Sequence, residues 1–430
     1  MKNGIGIGLI GLGVIGTGVA KVLIERNEGV SEQSGCPIIL KKVAEKDLNK
    51  KRDVDINPSL LTTNADDVLS DRDIDIVIEV IGGERPALDY VKKALASGKH
   101  VVTANKELIS KHGPELFALA DENKVDILYE ASVGGGIPLL NAFKQDLLAS
   151  NIISIQAIIN GTTNYILSSM AKEGIELDEA VKRAQRLGYA EADATNDIEG
   201  IDAMYKVAIL ATLAFRTNVT PDDVYREGIS KLAWRDFQYA RELGYAIKLL
   251  AIAKKDDGAI EVRVHPTFVP EDLLMAQVNG VFNAVQIEGD LVGRVIFYGQ
   301  GAGPKPTSSA IITDVINIAQ DINLGFSRRP KFELNVPKKI KPMDDIETRY
   351  YLRLTIADQP GVLAQIAKTL GDNNISILSA IQKEADDITQ SAEIVLMTHY
   401  ARESAMQAAL KTLVGLSSVR EVSNFIRVEA

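Results

Sequence analysis

The chain of 430 residues has little of several features that would assign it to a specialised class of protein. Cys36 is its single cysteine, so no internal disulfide can form and a reducing compartment is expected. Four scattered histidines form no HExxH or Cys/His pattern, which argues against a zinc centre. There is no basic block and the formal net charge is −10, so we expect neither a nucleic-acid nor a membrane partner.

The first residues contain a long uncharged run that loosely resembles a secretory signal. Seven of the fifteen positions from Gly4 to Gly18 are glycine. That density disfavours a helical signal segment and favours a strand followed by a tight turn. Hydrophobic residues make up 46% of the chain and charged residues 25%, as in ordinary globular proteins. We therefore expect a cytoplasmic protein.

The length and the order of strand-like and helix-like segments predict about three domains. The first 131 residues alternate strictly between apolar runs and helical patterns, as βαβ units on a parallel sheet do. A central α+β domain is expected next, and the last segment reads as βαββαβ, the ferredoxin-like order. The first domain is predicted at 1–132, together with a helix near 305–327, and the central domain at 133–304. A polar linker at 328–349 then leads to the last domain at 350–430.

A glycine motif lies between the first predicted strand and the first predicted helix. Gly11, Gly13 and Gly16 match G-x-G-x-x-G in that context, where the helix N-terminus binds a dinucleotide pyrophosphate. A glycine-rich turn without a ligand is the alternative. The predicted cofactor contacts are Gly11, Leu12, Gly13, Val14, Ile15 and Gly16.

The end of the second predicted strand, where such domains select the ribose of the cofactor, carries charges of both signs. Glu45 or Asp47 would accept a hydrogen bond from the 2′-hydroxyl of NAD. Lys46, Lys50 and Arg52 would instead bind the 2′-phosphate of NADP, and an ordinary solvated charge run is a further alternative. Both cofactors stay open, with NADP slightly favoured.

Two lysines occupy positions suited to substrate chemistry. Lys106 follows Thr103 at the carboxyl edge of the predicted parallel sheet, where ligands of such folds bind. Lys206 lies four residues after Asp202 on an otherwise apolar helix, so we expect it to be partly desolvated and paired. Such surroundings can tune a lysine for proton transfer, although an ordinary i,i+4 ion pair is the alternative.

The densest acidic stretch, residues 191–202, does not fit a calcium loop. Counted from Asp193, the sixth position should be glycine and is Ile198, and the twelfth should be glutamate and is Met204. The EF-hand interpretation is therefore rejected.

Together these motifs resemble those of homoserine dehydrogenases that carry a C-terminal ACT domain, over essentially the whole chain. Besides the glycine motif, the matching stretches are residues 103–106, 130–138, 160–165, 188–193, 202–206, 265–267 and 298–303. The resemblance implies reversible NAD(P)H-dependent reduction of L-aspartate 4-semialdehyde to L-homoserine, in the biosynthesis of threonine, methionine and isoleucine.

The resemblance also implies roles for individual residues. Lys206 is the implied general acid/base, Lys106 lies between nicotinamide and substrate, and Asp202 supports Lys206. Further implied cofactor contacts are Lys46, Thr103, Lys106, Gly188 and Gly303, and implied substrate contacts are Glu191, Asp197, Lys206 and Thr162. A monovalent cation, sodium in the family, is implied at the backbone carbonyls of Glu130, Val133, Gly135 and Ile137.

One departure from the family concerns the cofactor. Family members commonly have an arginine at the position of Lys46, preceded by a neutral residue, whereas this chain has Glu45-Lys46. The resemblance therefore does not imply strict use of NADP.

The chemistry agrees with these roles. The alkoxide that forms on the substrate needs a proton, and no histidine other than His100 lies at a predicted strand end beside a carboxylate motif. The two lysines remain as the cations able to stabilise the alkoxide and protonate it. Carboxylates would bind the ammonium group of an amino-acid substrate.

The last segment carries two stretches, 358–363 and 373–377, that resemble ACT-domain signatures. The resemblance implies an amino-acid effector, threonine by the family's expectation, with Gly361 and Asn374 in contact with it. It also implies a homodimer or homotetramer, since ACT domains pair through their sheets. A purely structural dimerisation module is the alternative. Few contacts are expected across the linker, so residues 350–430 are predicted to be dispensable for the chemistry.

Two other functions stay open at this point. One is a nicotinamide-dependent dehydrogenase of another small semialdehyde or β-hydroxy acid. The other is a catalytically silent amino-acid sensor that only binds nucleotide. The paired lysines and the carboxylates argue against the sensor.

Overall fold

The computed structural model describes residues 4–326, 333–383 and 390–429. Residues 328–332 of the predicted linker and the end of the predicted helix at residue 327 lie outside these ranges. The chain divides into two compact units, each made of three stretches of sequence. The first comprises Met1–Ile152, Tyr205–Asp222 and Gly289–Lys338, and the second comprises Ile153–Met204, Asp223–Glu288 and Lys339–Ala430.

A six-stranded parallel sheet forms the centre of the first unit, as the strict alternation of strands and helices predicts. In chain order its strands lie 3-2-1-4-5-6, the arrangement of dinucleotide-binding domains. Every residue of the first strand is buried, as expected for a strand covered on both faces. The strands are Ile5–Ile10, Ile38–Ala44, Leu61–Thr62, Ile76–Glu79, His100–Thr103 and Ile127–Leu128.

Helices and a further strand complete the described part of the first unit. Pro304–Asn323 packs on the first helix although they are far apart in sequence, and its Ile311, Val315 and Ile318 are buried in one core with Ile7 and Val19. The helices are Val14–Glu25, Asn27–Ser34, Asp66–Leu69, Ala87–Ala96, Lys106–Glu122 and Pro304–Asn323, with a π-helical turn at Ala142–Asp146 and a strand at Gly293–Gln300.

One continuous mixed sheet forms the second unit. Its strands lie in the order Phe282–Gly289, Ile152–Ile158, Tyr245–Asp256, Ala259–Pro270, Val419–Val428, Glu347–Ala357, Ser391–Thr398 and Ile377–Gln382. Short strands at Tyr225–Arg226 and Ala401–Arg402 pair alongside. We name Ala259–Pro270 the junction strand and Val419–Val428 the terminal strand, because they pair in parallel and join the end of the chain to the rest of the sheet.

The helices of the second unit lie between these strands in the sequence. They are Gly161–Glu173, Leu177–Arg186, Thr195–Ile198, Trp234–Glu242, Val362–Asp372 and Glu403–Val414. A further helix, Ile201–Phe215, begins in the second unit and continues into the first. The predicted βαββαβ order of the last segment is confirmed, and this segment has a core of its own that includes Leu352, Ile366, Ile394 and Met406.

The expectation that few contacts cross the boundary near residue 349 is wrong. The terminal strand extends the sheet of the preceding segments, with Phe268 of the junction strand opposite Val428. The Arg353 guanidinium binds the fully buried carboxylate of Asp236, at 2.7 Å from Nε to Oδ1. Sequence patterns did not reveal this junction because they show that a strand exists and not which open edge it covers.

Candidate active site

The glycine motif lines a cleft of about 890 Å³ in the first unit, a volume typical of small-molecule sites. Leu12, Gly13 and Val14 form part of its wall. Gly16 has to be glycine, because a Cβ there would lie 2.0 Å from the carbonyl oxygen of Gly11. Gly13 stands at the N-terminus of the first helix with open space around it, so a phosphate can approach the backbone there.

Two charged residues, Glu45 and Arg52, brace the glycine loop. The backbone N–H of Leu12 donates to Glu45 Oε2 at 2.7 Å, and Arg52 Nε donates to the Leu12 carbonyl oxygen at 2.7 Å. Burial opposes ionisation of Glu45, but the Leu12 N–H and Arg52 hold the pKa of its carboxyl below the usual value. Among the candidate selectors, Lys46 and Lys50 are exposed, and Lys50 lines the cleft.

A buried carboxylate organises the carboxyl edge of the parallel sheet. Glu79 ends the fourth strand, and its Oε2 accepts a 2.6 Å hydrogen bond from the Thr103 hydroxyl while Oε1 accepts from the Ile81 N–H at 2.9 Å. Burial raises the pKa of Glu79. Sequence analysis did not select this residue, although an acidic residue that ends an apolar strand at this edge was a usable signal.

Asn105 positions Lys106. Its Oδ1 accepts from the Leu108 N–H at 3.1 Å and so caps the helix that Lys106 begins, and its Nδ2 donates to the Gly83 carbonyl at 2.7 Å. Lys106 is half-buried. The predicted place of Lys106, at the start of a helix on the carboxyl edge, is therefore confirmed.

Lys206 belongs to the same unit as Lys106, and residues next to the two lysines are in contact. The Tyr205 hydroxyl donates to Glu107 Oε1 at 3.4 Å, and Lys111 Nζ lies 5.7 Å from the centre of the Tyr205 ring. Lys206 is 7% exposed. The expectation of an at least partly desolvated lysine on this helix is confirmed.

The loop predicted to hold a cation is organised by the Glu130 side chain. Its carboxylate oxygens accept hydrogen bonds from the backbone N–H groups of Leu140 and Asn141, each at 2.8 Å. Gly135 packs on the backbone of Gly301, where a Cβ would lie 2.6 Å from the carbonyl oxygen. Because the carboxylate is already engaged, a cation bound by this loop would have to be held by backbone carbonyls, which are hard oxygen donors.

Side-chain metal sites are not found in the described ranges. There, no three or more histidine, cysteine, aspartate or glutamate side chains cluster in a way that suits a metal ion.

In the second unit, Asn160 connects two carboxylates. Its Nδ2 donates to Asp197 Oδ1 at 2.6 Å and to Asp202 Oδ2 at 2.9 Å. Its Oδ1 accepts from the Thr163 N–H at 2.7 Å and caps the helix Gly161–Glu173. Sequence analysis matched this stretch to the family but did not assign Asn160 a role. Only the folded chain brings the amide to residues about 40 positions away.

The other predicted substrate and cofactor residues lie in both units. In the second unit, the Thr162 hydroxyl donates to the Tyr189 carbonyl at 2.6 Å, Glu191 is exposed, and Gly188 has a positive φ of 75°. In the first unit, Gly303 stands at the N-terminus of the helix Pro304–Asn323.

Two of the histidines, His265 and His100, are engaged by their own neighbours. His265 is fully buried among Arg263, Pro266 and Thr267, and burial together with Arg427 and Arg263 lowers its pKa well below the usual value. His100 Nδ1 accepts a hydrogen bond from the Asp126 N–H at 3.0 Å.

The two predicted effector residues lie at opposite ends of one helix. Gly361 precedes Val362–Asp372 and Asn374 follows it, both exposed and both with positive φ. At about 1.5 Å per residue, eleven helical residues separate them by roughly 16 Å. That separation is too large for one amino acid to contact both residues of a single chain.

A search of the described residues found no helix with both the length and the hydropathy that crossing a lipid bilayer requires.

Family models cover most of the chain. Residues 138–316 match the model described as "Homoserine dehydrogenase", residues 11–130 match "Homoserine dehydrogenase, NAD binding domain", and residues 350–416 match "ACT domain". The last match begins within the first strand of the βαββαβ segment and ends before its terminal strand, Val419–Val428.

Individual relatives agree with these matches. A homoserine dehydrogenase of Bacillus subtilis is 41% identical over 427 residues and covers 99% of each chain. The crystal structure of a homoserine dehydrogenase from Thiobacillus denitrificans has a TM-score of 0.92 at 43% identity, covering 99% of this chain and 98% of that one. A hyperthermophilic archaeal homoserine dehydrogenase in complex with NADPH has a TM-score of 0.62 at 27% identity, covering 75% and 98%.

Proposed function

The chain belongs to the homoserine dehydrogenase family, and from that premise we propose how its own residues perform the reaction. The protein is an NAD(P)-dependent oxidoreductase that interconverts L-aspartate 4-semialdehyde and L-homoserine. The observation that carries the residue assignment is that Lys206 is buried and lies one helical turn after Asp202. The Asn160 amide binds the carboxylates of both Asp202 and Asp197.

Lys206 is the proposed proton donor. The bound nicotinamide supplies the hydride when the semialdehyde is reduced, and the aldehyde oxygen then needs a proton. Burial favours the neutral amine of a lysine, whereas the nearby Asp202 carboxylate favours the ammonium, and this balance keeps proton transfer feasible in both directions. Lys106 stabilises the charge that develops on the same oxygen. Thr103 and Glu79 shape the sheet edge from which Lys106 extends.

Asp197 and Glu191 are proposed to bind the substrate ammonium, and Thr162 to line the same site. Asp197 accepts a hydrogen bond from Asn160 on one carboxylate oxygen, which fixes the carboxylate beside Asp202. This set of carboxylates suits an amino acid better than a simple hydroxy acid, because an ammonium is a strong donor to ionised acceptors.

We expect Asp197→Asn to raise KM for homoserine by about 10–100-fold with a smaller effect on kcat, since a hydrogen bond to a charged group contributes roughly 1.5–3 kcal/mol. Steady-state kinetics at saturating cofactor measures the change. Asp193→Asn is the matched control, because Asp193 is exposed on the same loop and only accepts bonds from Thr195. Equal KM values for the two variants would contradict the assignment of Asp197.

NADP is the proposed preferred cofactor, with NAD also accepted. Glu45 is occupied by the glycine loop, while Lys46 and Lys50 are exposed cations next to it, as a 2′-phosphate requires. Gly188 and Gly303 are proposed as further cofactor contacts.

The experiment that tests this function is a steady-state assay with L-homoserine and with 3-hydroxy acids, using each cofactor. Preferred turnover of a 3-hydroxy acid would favour the other dehydrogenase function. Cofactor binding without turnover would favour the sensor.

Sodium or potassium is expected to raise activity or melting temperature through the carbonyl loop at Glu130–Ile137. Backbone carbonyls are hard donors, so these ions should act and zinc should not be needed. The measurement compares kcat and melting temperature in sodium, potassium and tetramethylammonium buffers of equal ionic strength. Identical values in all three buffers would remove the cation from the proposal.

The ACT domain provides for an amino-acid effector, and threonine is the effector we propose. Because Gly361 and Asn374 are at opposite ends of one helix, we propose that they contact an effector from two different subunits of a homodimer or homotetramer. A cytoplasmic location is part of the same proposal, in keeping with a biosynthetic enzyme.

A further inference from the structure

A buried arginine of the terminal strand is bound by carboxylates from two different parts of the second unit. Arg427 is fully buried, and its Nε and Nη2 donate to Glu403 at 2.8 and 2.6 Å. Its Nη1 and Nη2 also donate to the two oxygens of Glu227, at 2.9 and 3.1 Å. Burial opposes the charge, but the two carboxylates raise the pKa of Arg427, and the guanidinium lowers the pKa of Glu227 despite its partial burial.

We name residues 191–202 the acidic loop, and hydrogen bonds attach the segment that carries Glu227 to it. The Ile229 N–H donates to the Ile198 carbonyl at 2.8 Å, and the Arg226 guanidinium donates to the Glu199 carbonyl. Between them, Gly228 packs so closely that a Cβ would lie 2.5 Å from Ile198 O and 2.7 Å from Glu199 Cα. Any displacement of Glu227 is therefore passed directly to residues 198 and 199.

Those residues directly follow Asp197. The Asp197 side chain binds Asn160, and its carbonyl accepts from the Thr163 hydroxyl at 3.0 Å. The position of the Asp197 carboxylate thus depends on contacts on two sides, one from Asn160 and Thr163 and the other from the Glu227 segment.

We infer that Arg427 is a positioning residue for substrate binding, which acts by holding Glu227 and through it the loop that carries Asp197. This inference rests on the proposed role of Asp197. It assigns to the terminal strand a part in substrate affinity in addition to any effector binding, because the guanidinium binds the side chain of Glu227 itself. A further bond from the strand to this segment, from Asn424 Nδ2 to the Lys231 carbonyl, lies beyond Ile229.

The test uses Glu227→Ala, which cuts this link while Arg427 keeps both bonds to Glu403 and so stays paired. KM for homoserine should rise roughly 3–30-fold, the range seen for changes that perturb a site through its supporting contacts. The value of kcat should change less than twofold, and KM for the cofactor should not change. Arg427→Lys, which keeps the charge but loses the planar fork, should raise KM less than Arg427→Met.

Glu393→Ala is the matched control. Glu393 is likewise the second carboxylate on a buried arginine of the last segment, Arg353, which keeps Asp236 when Glu393 is removed. Arg353 joins the helix Trp234–Glu242 and not the acidic loop, so Glu393→Ala should lower the melting temperature and leave KM unchanged. Similar KM values for Glu227→Ala, Glu393→Ala and the unchanged protein would overturn the inference, and so would equal rises in the two variants.

The Asp197→Asn variant separates the two possible failures. A raised KM in Asp197→Asn with a normal KM in Glu227→Ala would overturn the positioning role alone. A normal KM in Asp197→Asn would overturn the role of Asp197 and this inference with it.

Discussion

Replacing Lys206 with methionine is expected to lower kcat by about 10²–10⁴-fold, the range for loss of a general acid–base. Methionine keeps the length and apolar stem of the side chain in a position that is only 7% exposed, so the fold should be preserved. The affinity for the cofactor should change little, because the cleft at the glycine motif is lined by other residues. Single-turnover rates together with cofactor titration measure the two quantities separately.

Lys99→Met is the control for this variant. Lys99 is also a buried lysine of the first unit, and its ammonium donates to the Ile74 carbonyl at 2.8 Å, away from the sheet edge of Thr103. Its loss should lower the melting temperature without lowering kcat. If Lys206→Met keeps a near-normal kcat, the proton-transfer role of Lys206 is wrong, and Lys106→Met becomes the variant to examine.

A chain that ends at Thr348 is expected to aggregate, and not to form an active enzyme. Without the terminal strand, the edge of the junction strand near Phe268 is open. The Phe268 ring is also exposed, because in the complete chain it stacks on Tyr351 with 4.4 Å between the ring centres. An open apolar edge pairs readily with other chains. Size-exclusion chromatography and activity of the soluble fraction provide the measurement.

A point variant tests the same junction in the complete chain. Arg353→Met leaves the Asp236 carboxylate fully buried without its cation, which should cost about 3–5 kcal/mol of the roughly 5–15 kcal/mol by which domains are stable. Denaturant unfolding measures this loss. A soluble, fully active fragment of residues 1–348, together with an unchanged stability of Arg353→Met, would restore the separable module that the sequence suggested.

The dinucleotide-binding unit could be predicted from sequence almost completely. Its strands and helices alternate in short βαβ units, and the glycine motif lies between the first two of them. Parallel strands connected in this way leave few possible arrangements, and their carboxyl ends meet at one edge. For that reason the sequence predicts the place of Lys106, at the start of the helix that follows the strand His100–Thr103, correctly.

The partners of charged side chains could not be predicted in the same way. Glu45 was a candidate ribose ligand, and its bond to the Leu12 backbone was not foreseen. Asn160 received no role, yet it joins Asp197 to Asp202. In each case the residue type was informative, and the bonding partner depended on backbone that comes near only after folding.

The sequence by itself determined the local elements, the family and the types of residue that the reaction needs, because helical and strand periodicity and short motifs act over a few residues. The tertiary structure alone decided that the terminal strand joins the junction strand, and that Arg353 and Arg427 are buried against Asp236 and Glu227. The physical reason is that a strand edge can pair with any open edge of suitable register, and a buried charge needs some opposite charge. The packing of segments more than a hundred residues apart selects the edge that the terminal strand covers and the carboxylates that Arg353 and Arg427 meet.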